Sequence, residues 1–141
     1  MKKTLSSLLT LLLTLLLVCS LIACNTVDAE GKWENATYRR DKTFGDGKTT
    51  VTVTVKVEEA AVTFTLKTDK TTLADALLEH SLIEGDESGF GIYIKKVNGI
   101  TADYSVDGSW WGVEQDGKPT AVGASSLTLT DGDHYDLVYS K

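Results

Sequence analysis

The sequence predicts a small α+β domain in which one short helix lies across a sheet. In two runs, at 51–57 and 62–67, apolar residues alternate with threonine or lysine, which is the period of a half-buried strand. Apolar residues at 73–78 instead follow the three- and four-residue spacing of a helix. Beyond them, short β-prone runs are separated by turn residues such as Asn98-Gly99. The order strand, strand, helix and then further strands is typical of an α+β domain.

The elements follow from local signals along the chain. The two alternating runs are expected to form a hairpin over 49–67, because the segment 58–60 interrupts the alternation. The helix is expected to begin after Thr72, whose hydroxyl can cap it, with Asp75 placed where a carboxylate suits the helix dipole. Its apolar stripe consists of Leu73, Ala74, Leu77 and Leu78. The Gly- and acid-rich segment 84–89 is expected to end the helix. Further strands are predicted at 92–97, 100–104, 109–115, 126–130 and 134–140.

The first 23 residues have the composition of a secretory signal peptide. Lys2 and Lys3 give a positive start, and residues 5–22 are almost wholly apolar and uncharged. The sequence Leu-Ile-Ala-Cys at 21–24 resembles the lipobox of bacterial lipoproteins. That resemblance implies cleavage before Cys24 and attachment of diacylglycerol to its thiol. An ordinary secretory signal or an uncleaved membrane helix is the alternative, since a run of about 18 residues can just span a bilayer.

Removal of the signal makes an already acidic chain more acidic. It takes away Lys2 and Lys3 and no acid, so the net charge goes from −6 to about −8. Nucleic acid is excluded as a partner because it requires clustered basic residues. Adhesion to anionic lipid is disfavoured too, so acyl chains on Cys24 are expected to hold the protein at the extracytoplasmic face of the cell membrane. Cys24 would be the one remaining cysteine, which leaves stability to an ordinary core.

Residues 24–48 are predicted to be a tether that precedes the domain at 49–141. The segment is polar, contains the Gly45-Asp46-Gly47 turn cluster and has no sustained apolar period. Its aromatic residues, Trp33, Tyr38 and Phe44, are unusual for a linker. They could pack on the edge of the domain, so part of the tether is expected to be ordered.

An ordered series of short motifs resembles a known family. The series comprises Gly-Phe-Gly-Ile-Tyr at 89–93, Val-Asn-Gly at 97–99, Ser-Trp-Trp at 109–111, Asp-Gly-Lys at 116–118, Val-Gly at 122–123 and Leu-Thr-Asp-Gly-Asp at 129–133. It resembles the transcobalamin-like C-terminal domain, also catalogued as a domain of unknown function in bacterial surface proteins. The resemblance covers about 49–141 and implies a β-grasp, ubiquitin-like sheet with one short helix. In the vitamin B12 carriers this domain covers one face of a corrinoid that a separate helical domain mainly holds, so cobalamin binding is implied less directly than the fold.

Trp110 and Trp111 are the candidate ligand contacts. Neighbours on a strand point to opposite faces, so one is expected in the core and the other is free to stack on a flat ligand or a partner. Tyr93 and Tyr104, on the adjacent predicted hairpin, are the expected companions. The backbone amides of Asn98-Gly99 are the expected polar contacts. Packing of these aromatic residues within the fold is the alternative interpretation.

Catalytic and metal-binding patterns are missing from the sequence. It has no Gly-x-Ser-x-Gly elbow, no His-Glu-x-x-His and no phosphate-binding glycine loop. His80 and His134 stand alone, and Asp131-Gly132-Asp133 lacks the spacing of a calcium loop. We therefore expect no enzyme, no metal and no resident cofactor. Two functions remain open: capture of a small ligand, specifically a corrinoid, for a transporter, or non-catalytic docking of a cell-surface protein.

Overall fold

The structure is a computed structural model that describes residues 25–141, so the signal peptide and Cys24 lie outside the described residues. The described chain is mostly β-sheet, with two short helices, α1 (Leu73–Glu79) and α2 (Tyr104–Asp107). Short 3₁₀ turns lie at Gly31–Asn35 and Ala124–Ser126. None of the helices in the described range is long and apolar enough to cross a membrane.

Strands in the described residues form two open sheets. They are β1 (Lys42–Phe44), β2 (Thr49–Val57), β3 (Ala60–Thr68), β4 (Ile83–Ser88), β5 (Gly91–Val97), β6 (Ile100–Thr101), β7 (Trp110–Gln115), β8 (Lys118–Pro119) and β9 (His134–Ser140). The larger sheet has the order β1-β3-β2-β9-β7-β8, and the smaller has the order β4-β5-β6. At the centre of the larger sheet, β2 and β9 are parallel neighbours, with Thr52 opposite His134. β1 and β3 are also parallel, and the other pairs are antiparallel.

The predicted hairpin of β2 and β3 is confirmed, and it carries much of the core. The four valines of β2 are buried, while the threonines between them lie half-buried on the opposite face. The turn at Glu58 has a positive φ of 56°. The valines belong to one apolar cluster with the buried side chains of α1 and with Leu137 of β9. The period of two therefore identified the core face of the sheet.

The helix begins where the sequence predicted but buries a slightly different face. Thr72 caps α1, and its hydroxyl accepts a hydrogen bond from the Asp75 amide at 3.3 Å. Leu78, expected in the apolar stripe, is 41% exposed, and Ala76 is buried instead. A small side chain at 76 lets the two-turn helix lie close to its neighbours.

Three predicted boundaries are wrong. The segment 84–89, expected to end the helix, is mostly β4, an edge strand whose exposed side chains give no apolar alternation, and α1 already ends at Glu79. The strand expected over 100–104 ends at Thr101, because Asp103 caps α2 by accepting a hydrogen bond from the Ser105 amide. The run 126–130 forms no strand, and only Thr128 makes an isolated bridge, to Thr72.

Residues 25–48 pack on the domain along their length. Val27 and Trp33 are buried, and β1 pairs with β3. The Asn25 side chain donates a hydrogen bond to the Ala61 carbonyl at 2.8 Å, so contact begins at the first described residue. Tyr38 and Phe44 pack edge-on against each other and against Phe64, with ring centroids 5.3–5.9 Å apart. The aromatic residues that looked unusual for a linker are those that attach this segment.

Candidate functional site

The two adjacent tryptophans on β7 point to opposite faces, as the sequence predicted. Trp111 is 6% exposed, packs edge-on against Tyr139 at 5.5 Å, and donates from its indole N–H to the Ile100 carbonyl at 3.1 Å. Trp110 is 42% exposed, and its nearest ring neighbour is Tyr104, at 6.4 Å. One indole thus helps to build the fold, and much of the other remains available for contact.

An open groove lies between β5, β7 and the loop at 120–124. Its volume is about 590 Å³, which falls in the usual range for small-molecule sites. Tyr93 and Trp110, both exposed, lie on its walls. Most of its lining is apolar, with Ile92, Ile94, Trp111, Val113, Ala121 and Val122 among its members. Among the described residues that line it, Glu114 alone is charged. We call this space the β5–β7 groove.

One edge of β7 faces the β5–β7 groove without a partner strand. The Thr120 amide donates to the Val113 carbonyl at 3.0 Å, so the backbone groups of Val113 point away from β9. Backbone groups of alternate strand residues point to the same edge, and those of Trp111 therefore do so too. Among the described residues, β8 pairs only with Glu114 and Gln115 on that side. Within residues 25–141, the N–H and C=O of Trp111 therefore have no strand partner on this edge and remain a donor and an acceptor for another group.

The other predicted site residues lie outside the groove lining. Tyr104 is exposed on α2 and contacts Trp110 from the side. Asn98 is buried, and its carboxamide binds the backbone of Tyr38 on both sides, accepting from the N–H at 2.9 Å and donating to the C=O at 2.7 Å. A side chain at Gly99 would lie 2.5 Å from the Asn35 carbonyl. This hairpin turn therefore holds the N-terminal segment and is not brought to the groove.

The residues that sequence reasoning missed are the apolar lining on β5 and the loop at 120–124. Ile92 and Ile94 were predicted only as strand residues. The loop is held by the Thr120 hydroxyl, which donates to the carbonyls of Val113 and Val122 at 3.2 and 2.8 Å. The Val-Gly motif at 122–123 marked this loop, but its position beside β5 depends on packing between distant segments.

A polar cluster occupies the other face of the central strands. Asp136 is buried and forms an ion pair with Lys56 at 2.8 Å and a hydrogen bond with His134 at 3.0 Å. The second ring nitrogen of His134 lies 2.6 Å from the Thr52 hydroxyl. These contacts join β2 to β9 and give the buried carboxylate the partners it needs. Within residues 25–141, no three His, Cys, Asp or Glu side chains are placed to hold a metal ion.

These features define a small, mostly β module with an aromatic-lined groove along a sheet edge. A family model matches residues 70–140, a range that includes every residue lining the β5–β7 groove. The chain belongs to that family, which is described as a domain of unknown function (DUF4430). No curated protein matches the sequence closely enough to be a relative.

Several solved structures resemble the chain, and two of them bear on its function. A presumed metal-binding protein from Ruminococcus gnavus ATCC 29149 is 27% identical with a TM-score of 0.62, over 67% of this chain and 98% of that one. Haptocorrin in complex with cobinamide (Cbi) is 23% identical with a TM-score of 0.51, over 70% of this chain and 26% of haptocorrin. This chain thus spans about a quarter of haptocorrin. The second likeness concerns the fold alone, and it agrees with the resemblance to the transcobalamin-like domain.

Proposed function

We propose that the protein is a lipid-anchored, extracytoplasmic module that binds a flat amphipathic small molecule, with a corrinoid as the specific candidate. The observation that carries the proposal is the β5–β7 groove, in which Trp110 and Tyr93 stay exposed beside an apolar lining. Aromatic faces of this kind gain energy by stacking on flat rings. The proposed role is capture and delivery to a transporter, without catalysis.

The arrangement of the strands supports a β-grasp fold for this module. β2, the first long strand, lies parallel to β9, the last strand, at the centre of the larger sheet. Their outer neighbours, β3 and β7, are antiparallel to them, and α1 contributes its apolar face to the shared core. These features support the β-grasp sheet that the transcobalamin-like resemblance implies.

Two further observations support a corrinoid. The fold resembles that of haptocorrin, whose structure contains cobinamide. The groove is also open, so it can cover one face of a ring larger than itself while the other face stays accessible for transfer.

Calorimetric titration of the purified protein with dicyanocobinamide tests the proposal. We expect saturable binding, weakened about 5- to 150-fold by Trp110→Ala and by Tyr93→Ala, because a lost stacking contact of about 1–3 kcal/mol corresponds to that range. Phe90→Ala is the matched control, since Phe90 is an exposed aromatic residue outside the groove lining. The absence of saturable heat up to about 1 mM would contradict the corrinoid proposal.

A second candidate function, docking of a cell-surface protein, is favoured by the hairpin of β4 and β5. Phe90 is 94% exposed at its tip, and the adjacent edge strand carries Glu84, Asp86 and Glu87. Because Lys96 and Lys95 pair with Glu84 and Asp86, the main contact that this surface offers is the exposed Phe90, which suits an apolar pocket on a partner. Cross-linking from position 90 in intact cells, followed by isolation from solubilised membranes, should recover a stoichiometric partner if this is correct.

A further inference from the structure

We infer that the β5–β7 groove recognises an uncharged carboxamide on its ligand, which pairs with both the N–H and the C=O of Trp111. This inference rests on the proposed function and names the chemical group that the same site recognises. At the edge of β7 that lacks a partner strand, Trp111 presents one hydrogen-bond donor and one acceptor side by side. Each would need a partner when a ligand displaces water from the groove.

The protein itself contains the geometry of such a pair. The Asn98 carboxamide binds both backbone groups of a single residue, Tyr38, with its oxygen 2.9 Å from the N–H nitrogen and its nitrogen 2.7 Å from the C=O oxygen. A primary carboxamide therefore spans the two groups of one backbone residue with hydrogen bonds of ordinary length. A ligand carboxamide can make the same two bonds at Trp111.

A carboxylate fits this place poorly. It can accept from the Trp111 N–H, but it has no proton to donate to the carbonyl, so that oxygen stays unmatched. It would also enter a groove whose one charged lining residue is Glu114. A like charge at short range in a partly desolvated site is unfavourable. The groove should therefore reject the acid form of a ligand whose amide form it binds.

An extended peptide fits less well than a single amide. A peptide strand needs alternate residues with free backbone groups, and Val113, the next such residue on this edge, already accepts from Thr120. The loop at 120–124 then occupies the line that an added strand would follow. In the described part of this edge the Val113 carbonyl is already bonded, so the space at Trp111 matches one small group.

The test compares two corrinoids that share a ring and differ in their side groups, dicyanocobinamide with its amides and dicyanocobyrinic acid with its carboxylates. We expect the amide form to bind at least 10-fold more tightly, and Glu114→Gln to narrow the gap by improving binding of the acid. Equal affinities would overturn the inference and leave the proposed function intact. Failure of both corrinoids to bind up to about 1 mM would overturn both.

A second measurement reports on the backbone pair directly. In a ¹H–¹⁵N spectrum of the titrated protein, the Trp111 amide should move downfield with the amide form, because its N–H gains an acceptor. Its exchange with solvent should slow as well. The Thr52 amide, which is bonded to the Asp133 carbonyl and lies outside the groove lining, serves as the internal control and should move little. Binding that shifts other groove residues and leaves the Trp111 amide unchanged would contradict the pairing.

Discussion

Tyr135, on the central strand β9, is a buried titratable side chain. It is 1% exposed, and its hydroxyl donates to the Asp133 carboxylate at 3.0 Å. Burial, followed by this hydrogen bond and the charge of Asp133, raises the pKa of Tyr135 to about 12 from 10.0. The neutral form is thus favoured in the folded protein, because burial penalises the phenolate.

This pKa shift predicts a loss of stability at high pH. Above pH 10 the unfolded chain ionises Tyr135 while the folded protein keeps it neutral, so the unfolded state binds fewer protons and the free energy of unfolding falls until about pH 12. Two pKa units correspond to about 2–3 kcal/mol. We expect the stability advantage of the wild type over Tyr135→Phe to shrink by that amount between pH 9 and 12 in urea unfolding. Parallel pH profiles for the two proteins would contradict the assignment.

At the scale of elements, the N-terminal segment is attached to the sheet by buried contacts. Trp33 is 4% exposed, and its indole N–H donates to the Val57 carbonyl at 3.4 Å. The Asp41 carboxylate accepts from the Thr63 amide at 2.8 Å and so covers part of the β3 edge. Edge coverage of this kind protects a sheet from pairing with other chains.

These contacts predict that Trp33 matters for the stability of the whole domain. Trp33→Ala would leave a cavity beside β2, and we expect the free energy of unfolding to fall by about 3–5 kcal/mol. Trp110→Ala is the matched control, because the exposed indole should contribute less than about 1 kcal/mol. Urea unfolding followed by circular dichroism measures both. An unchanged midpoint for Trp33→Ala would mean that residues 25–48 act only as a tether.

The elements that the sequence predicted are those whose signal is local. β2 and β3 show the alternation of one buried face, and the β5–β6 turn has Asn98 and Gly99 at positive φ, as the dipeptide indicates. β4 was not predicted because its side chains after Ile83 are exposed, so its sequence shows no alternation of apolar residues. Its acidic side chains instead form ion pairs with Lys95 and Lys96 on β5.

The candidate site was predictable only in part, because only some of its features have a local signal in the sequence. Opposite orientation of Trp110 and Trp111 follows from strand geometry alone. The groove beside them depends on where β5 and the loop at 120–124 meet β7, and no local pattern encodes that meeting. The backbone amides of Asn98 and Gly99 were predicted to be polar contacts of a ligand, because the local sequence does not show what this turn packs against. In the structure Asn98 binds Tyr38, a residue 60 positions away.

At the scale of the whole molecule, the register of the sheet brings the groove and the proposed anchor to the same end. Lys56 of β2 lies opposite Val138 of β9, and Ser140 lies opposite Trp110, so Trp110 is near the end where β2 turns into β3. Asn25 is bonded to Ala61 at that same end. With Cys24 adjacent to Asn25 in the chain, a lipid on its thiol would hold this end of the sheet at the membrane surface.

In the proposed arrangement the acyl chains on Cys24 would carry the attachment, because the turn at this end has Glu58 and Glu59, which anionic lipid repels. We expect radiolabelled fatty acid to enter the wild type and not Cys24→Ser, and the mass of the purified wild type to lack residues 1–23. Two acyl chains give stable anchoring where one is marginal, so the wild type should stay with membranes in high salt while Cys24→Ser is released. The lipid anchor would be contradicted if radiolabelled fatty acid entered Cys24→Ser, or if the native protein retained residues 1–23.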